Sequence, residues 1–160
     1  MDNNNILRRI RYIFDYGDSK IIRLFTKGDL TVNRAQISNW LKKEEDPDYQ
    51  ECKDKELAMF LNGLINDKRG KREGAQPEPE THLSNNIVFT KLKIALNLKA
   101  EDVLDIFQLA DFPMSKSELS SFFRKKGHRN YSDCKDQVLR NFLKGLQVKY
   151  RKEEKGISFG

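Results

Sequence analysis

The chain repeats itself. Shifting it by 82 residues lays residues 3–69 on residues 85–151 without a gap. The match is densest near the end of each copy. Tyr49, Cys52, Lys53, Asp54, Leu57, Phe60, Leu61, Gly63 and Leu64 fall on Tyr131, Cys134, Lys135, Asp136, Leu139, Phe142, Leu143, Gly145 and Leu146. Those are nine identities in sixteen positions, where unrelated segments would share about one. Upstream the identities are sparser, among them Asn3/Asn85, Phe25/Phe107, Asp29/Asp111 and Ser38/Ser120, but apolar character persists. Ile10 faces Leu92, Ile21 faces Val103, Ile37 faces Leu119 and Trp40 faces Phe122. Two units that keep the same apolar positions must bury the same faces, so one local fold has to serve twice.

The periodicity within each unit is that of about four helices. Ile6, Leu7, Ile10, Ile13 and Phe14 make one stripe at helical spacing, repeated by Val88, Phe89, Leu92, Ala95 and Leu96. A second helix follows Gly17-Asp18, with Asp18 as its expected cap, and carries Ile21, Ile22, Leu24 and Phe25. Its counterpart carries Val103, Leu104, Ile106 and Phe107. The third opens with Asn33-Arg34-Ala35-Gln36, and in the second unit with Ser115-Lys116-Ser117-Glu118, a capping-box pattern. Trp40, Phe122 and Phe123 hold the apolar phase of these helices and read as core rather than as base-stacking residues. A fourth helix begins near Asp54 and Asp136, both expected caps, and buries Leu57, Phe60, Leu61 and Leu64 or their equivalents. Gly63 and Gly145 fall inside it, where Gly costs about 1 kcal/mol relative to Ala. Their recurrence fits close helix approach, or simply common ancestry of the two units.

The segment 67–84 separates the units. It runs from Lys68-Arg69-Gly70-Lys71-Arg72 into Gln76-Pro77-Glu78-Pro79-Glu80, and the alternating prolines favour extended backbone. A link of this length lets the units pack face to face. The expectation is an all-α protein of two tandem helical repeats, 1–66 and 85–151, packed around a pseudo-two-fold, with a polar, frayed tail at 152–160.

These residues carry a resemblance. The Asn-Asn start, Phe60-Leu61-Asn62-Gly63-Leu64, the connector from Lys68 to Glu80, and Leu139-Arg140-Asn141-Phe142-Leu143-Lys144-Gly145-Leu146 resemble the YehS-like family of bacterial proteins over nearly the whole chain. The family is classed as a domain of unknown function found twice per protein. The resemblance implies a bacterial cytoplasmic protein and a duplicated domain, and it brings no catalytic residues with it.

Catalytic signals are missing. No Walker-type loop or dinucleotide fingerprint occurs. Two histidines and two cysteines do not make a four-ligand metal site, so neither metal nor cofactor is expected. Cys52 and Cys134 read as packing residues at equivalent places. His82 lies in the connector, and His128 has Asp46 as its counterpart. No secretory leader opens the chain and no apolar run reaches about 18 residues, so a cytoplasmic protein without a membrane role is expected.

Charge is the remaining clue. Residues 1–66 carry 11 basic and 11 acidic groups, residues 67–84 four of each, and residues 85–151 carry 13 basic and 7 acidic. The whole net charge of +6 therefore sits in the second unit. Such asymmetry suits an anionic partner, or else a solvated basic surface. Its sharpest expression is Arg124-Lys125-Lys126-Gly127-His128-Arg129, which replaces the acidic Lys42-Lys43-Glu44-Glu45-Asp46-Pro47 of the first unit. Candidate phosphate contacts are Arg124, Lys125, Lys126 and Arg129, with Lys116 and the connector's Lys68, Arg69, Lys71 and Arg72. Alternatively, the acidic loop packs near the basic one. The second and third helices of the first unit also resemble a helix-turn-helix, whose exposed face would present Arg34, Gln36, Ser38, Asn39 and Lys42 to a major groove. Against this, the connection from Lys27 to Val32 is long and the first unit has no net charge. The sequence thus points to a non-enzymatic nucleic-acid-binding or regulatory protein. The rival is a protein–protein module that docks a partner or a second copy of itself.

Overall fold

A computed structural model of the chain describes residues 1–151. The tail expected to fray, 152–160, lies outside the described residues. Eight helices appear in order. In the first unit they are α1 (Asn3–Phe14), α2 (Asp18–Lys27), α3 (Arg34–Leu41) and α4 (Asp54–Arg69). In the second they are α5 (Asn85–Ala95), α6 (Ala100–Leu109), α7 (Lys116–Ser121) and α8 (Asp136–Tyr150). No strand occurs among the described residues, and no helix there is long and apolar enough to cross a membrane.

Side-chain caps start several helices. Asp2 accepts from the Asn5 amide at 2.8 Å, and Asn33 accepts from the Gln36 amide at 2.9 Å. Ser115 accepts from the Glu118 amide at 3.1 Å, while the Glu118 carboxylate meets the Ser115 hydroxyl at 3.4 Å. Three expected caps are displaced by one residue. Gly17, Lys53 and Lys135 occupy the N-cap positions, which puts Asp18, Asp54 and Asp136 in the first turn. There the carboxylates are free to bind other segments. Asp18 pairs with Arg11 at 3.2 Å and Arg34 at 3.7 Å. α1 stops at Asp15, whose left-handed φ of 54° turns its amide back onto the carbonyls of Arg11 and Tyr12.

The apolar stripes meet as the periodicity requires. Ile6, Leu7, Ile10 and Ile13 are buried, as are Leu57, Phe60, Leu61 and Leu64. The aromatic centre of the first unit is Phe25, with Trp40 and Phe60 at centroid distances of 5.2 and 4.9 Å. In the second unit Phe89 stands where the first has Leu7, and it touches Phe107, Phe122, Phe123 and Phe142. Burying each such ring contributes about 1.5–3 kcal/mol. Trp40 and Phe122 are core and Phe123 is partly buried against it.

The recurrent glycine answers to close approach. A Cβ built on Gly63 would lie 1.7 Å from the Leu24 carbonyl oxygen, and one on Gly145 would lie 2.1 Å from that of Ile106. Backbone therefore touches backbone where α2 crosses α4 and where α6 crosses α8.

The units meet reciprocally. α4 packs on α5, and its equivalent α8 packs on α1, the equivalent of α5. The polar contacts at the seam repeat the same way. The Leu83 amide, at the end of the connector just ahead of the second unit, donates to Asp54 of the first at 2.9 Å. The Met1 amino group of the first donates to Asp136 of the second at 2.6 Å. Asn3 also donates to Asp54, and Asn85 to Asp136, each at 2.7 Å. Met1 and Leu83 are 82 residues apart, as are the other pairs, so the arrangement is a pseudo-two-fold.

Candidate nucleic-acid interface

The two divergent loops share a backbone despite their opposite charge. In the first, the Asp46 amide donates to Lys43, the Tyr49 amide to Asp46, and the Gln50 amide to Asn39. In the second, the His128 amide donates to Lys125, the Tyr131 amide to His128, and the Ser132 amide to Ser121. The side chains match too. Asp46 Oδ1 accepts from the Asp48 amide at 2.9 Å, and His128 Nδ1 accepts from the Asn130 amide at 3.0 Å. His128 thus does the turn-stabilising work of Asp46 without its negative charge. Gly127 adopts φ +98°, a left-handed conformation it reaches at little cost.

On this frame Arg124, Lys125, Lys126 and Arg129 are all exposed. None forms an ion pair with a described residue, and none meets the acidic loop, whose own pair is Lys42 with Asp48 at 3.6 Å. Arg124 and Lys126 line a cavity of about 370 Å³ together with Lys91, Phe123, Tyr131 and the connector's Glu80. A second cavity, of about 300 Å³, shares Lys91 and Ile94 with the first and adds the connector's Arg72, Pro77 and Pro79. The structure therefore gathers Arg124, Lys126 and Arg72 along one stretch of α5. Lys68 is not part of that gathering. Its ammonium lies 5.3 Å from the ring centre of Phe14, which packs on Tyr16 and Tyr150. Arg69, Lys71 and Lys116 are exposed and line neither cavity.

The helix-turn-helix-like face is largely occupied by its own contacts. Arg34 reaches Ser19 and Asp18, Gln36 donates to the Gln50 side chain at 2.7 Å, and Lys42 donates to Asn39 at 3.1 Å. Ser38 remains exposed without such a contact. Residues 28–33 separate α2 from α3, so the turn is longer than the three or four residues usual for the motif.

Both thiols are buried. Burial, with nearby carboxylates, raises the Cys52 pKa, and it pushes that of Cys134 up to about 12. Neutral, enclosed thiols are poor nucleophiles and poor metal ligands. Among the described residues no three of His, Cys, Asp and Glu gather where they could hold a metal ion.

The basic residues that the charge count passed over are Arg8, Arg9 and Arg11 on α1. They surround a groove of about 640 Å³ that Arg151 closes from the end of α8. The first unit sums to zero because most of its acids lie elsewhere, Asp15 and Asp18 excepted, so a segment total conceals one arginine-rich helix face. Also passed over were Asn4 and Asn86, which are buried and hydrogen bonded only to backbone. Their signal was available as an identical polar residue inside each apolar stripe.

Comparison with known proteins fits this duplicated architecture. The chain is 42% identical over 150 residues to the Uncharacterized protein YehS of Escherichia coli (strain K12), covering 93% of this chain and 96% of that one. No solved structure matches the chain. The family model described as Protein of unknown function (DUF1456) matches twice, at residues 3–70 and 85–152. The two matches coincide with the two four-helix units, and the chain belongs to that family as a tandem pair of its domain.

Proposed function

We propose that the protein is a non-enzymatic nucleic-acid-binding or regulatory protein that holds phosphates through its second unit. The observation that carries this reading is the exposed, unpaired set Arg124, Lys125, Lys126 and Arg129 on a loop of fixed backbone. Its twin in the first unit keeps the same turn with acidic side chains. Preserved geometry with inverted charge favours an anion as the partner of one copy only. Phosphate attraction supplies most sequence-independent affinity for nucleic acid, through release of counterions. Lys116 and the connector residues Lys68, Arg69, Lys71 and Arg72 extend the reading, Arg72 lining a cavity that shares Lys91 and Ile94 with that of Arg124 and Lys126. The face of Arg34, Gln36, Ser38, Asn39 and Lys42 contributes less, because Arg34, Gln36 and Lys42 are engaged within the unit.

The test is fluorescence anisotropy with labelled duplex DNA and RNA at two salt concentrations. The reading expects affinity that falls as salt rises, and a weaker salt dependence when Arg124, Lys125 and Lys126 are replaced by Ala. Binding that ignores salt, or survives the triple substitution unchanged, refutes it. The rival is docking of a protein. It draws on the exposed apolar side chains Ile94, Leu109 and Val148 and predicts a complex that persists after nuclease treatment.

A further inference from the structure

The internal two-fold provides a comparison within one molecule. Arg9 on α1 and Lys91 on α5 occupy equivalent positions, 82 residues apart. Lys91 is neutralised. Its ammonium lies 3.1 Å from Glu80 Oε1 and donates to Asn62 Oδ1 at 2.6 Å. Glu80 Oε1 is shielded from solvent and sits off-line for a hydrogen bond, so this ion pair is what satisfies it.

Arg9 has no such partner. The residue equivalent to Asn62 is Lys144, a cation rather than an amide oxygen. Half-buried, the Arg9 guanidinium forms no hydrogen bond or ion pair. Burial lowers its pKa, and the like charge of Arg140 lowers it further. No described residue gives Arg9 the carboxylate that Glu80 gives Lys91.

The groove beside Arg9 is built from oriented arginines. Arg8 is held by the Lys42 carbonyl at 2.9 Å, and Arg11 by the Tyr16 carbonyl at 3.1 Å. Arg151 donates to the Tyr12 carbonyl at 2.6 Å and stacks 3.9 Å from the Tyr12 ring centre. Asp15 is the one carboxylate in the lining, and Arg151 reaches it at 3.4 Å. Asp18 beside the groove pairs with Arg11 at 3.2 Å, whereas Arg8 and Arg9 form no ion pair with a described residue and leave the groove positive. Held by backbone carbonyls, the three outer arginines lose little freedom when an anion arrives.

We propose that this groove over α1, closed by the ends of α3 and α8, binds a phosphate-bearing anion of the pyrophosphate class. Arg9 makes the bidentate contact, and Arg8, Arg11 and Arg151 flank it. The several negative charges of a diphosphate answer both Arg8 and Arg9, which a single carboxylate does not, and planar guanidiniums fit its paired oxygens. The site lies in the unit opposite the basic loop and does not depend on nucleic-acid binding there.

Isothermal titration calorimetry of the full chain at fixed ionic strength tests it, with sodium pyrophosphate as the probe and sodium sulfate as the control. A nucleoside diphosphate and tripolyphosphate form parallel arms that identify the source of the phosphates. The expected result is saturable one-site binding of pyrophosphate, tighter than sulfate. Arg9→Gln should weaken it by roughly ten-fold or more, and Arg9→Lys, which keeps the charge without the fork, should recover part of the loss. The Arg9 substitutions should act in the same way when Arg124 and Lys126 are also replaced by Ala, because the two sites share no lining residue. Thermal melting separates this from misfolding. Without ligand, Arg9→Gln should melt no lower than the parent because it removes an unpaired cation. With pyrophosphate, only the parent should gain. Absence of saturable heat at millimolar pyrophosphate, equal affinity for sulfate, or full affinity in Arg9→Gln overturns the proposal.

Discussion

Replacing Asn4 by Ala removes the one side chain that ties three segments of the first unit together. Asn4 Nδ2 donates to the Trp40 carbonyl at 2.9 Å and to the Gln50 carbonyl at 2.8 Å, while Oδ1 accepts from the Cys52 amide at 3.0 Å. The side chain thereby joins α1 to the end of α3, to the loop that follows, and to the entry of α4. Trp40 and Cys52 are fully buried, so water does not replace the lost partner at either. Gln50 is exposed and its carbonyl can be rehydrated. An orphaned buried donor or acceptor costs about 1–3 kcal/mol, so the two enclosed groups set an expected loss of roughly 2–6 kcal/mol. For a chain of this size that lowers the melting temperature by about 5–20 °C. Asn86 makes the same three bonds in the second unit, to Phe122, Ser132 and Cys134, and Asn86→Ala should cost a comparable amount. Asn4→Asp is the sharper probe. It keeps an acceptor for the Cys52 amide but sets carboxylate oxygens against the Trp40 and Gln50 carbonyls, and it should cost at least as much as Ala. Urea denaturation followed by circular dichroism measures all three variants, with midpoints compared at an unchanged slope. If Asn4→Ala lies within about 1 kcal/mol of the parent, or Asn4→Asp equals it, the reasoning about enclosed backbone groups is wrong.

Two further perturbations test the packing and the thiols. Gly63→Ala drives a methyl into the Leu24 carbonyl and should cost about 1–3 kcal/mol or more in the same urea assay, whereas Gly17→Ala, with nothing within 4 Å, should cost about 1 kcal/mol or less. The cysteine thiols should label with a disulfide reagent only on unfolding. Because burial raises their pKa in the folded state, the native protein keeps protons that the unfolded chain gives up. Stability should therefore fall as pH rises above about 9, by up to ~1.4 kcal/mol per pH unit for each thiol, and replacing both by Ala should remove that component.

Much of this protein is legible without its tertiary structure. Helical periodicity locates all eight helices, because an amphipathic stripe is a local property of spacing. The 82-residue offset exposes the duplication, because two units with one packing solution retain the same apolar and glycine positions. Cap positions slipped by one residue at Asp18, Asp54 and Asp136, since a carboxylate just inside a helix and one just before it look alike in a linear pattern. That slip matters, for Asp54 binds the end of the connector and Asp136 the start of the first unit, across the seam. Which cations stand free was decided only in three dimensions. Lys91 and Arg9 are equivalent by alignment, yet Glu80, folded back from the connector, reaches one and nothing described reaches the other. A charge sum assigns the positive surface to the second unit, but net charge adds residues without regard to direction. Folding places Arg8, Arg9 and Arg11 of the neutral half around one groove and brings only Asp15 and Asp18 of that unit's acids into ion pairs with the groove's arginines. The sequence determined what must be buried and how often. Long-range contacts decided which charges found partners, because that depends on segments far apart in the chain.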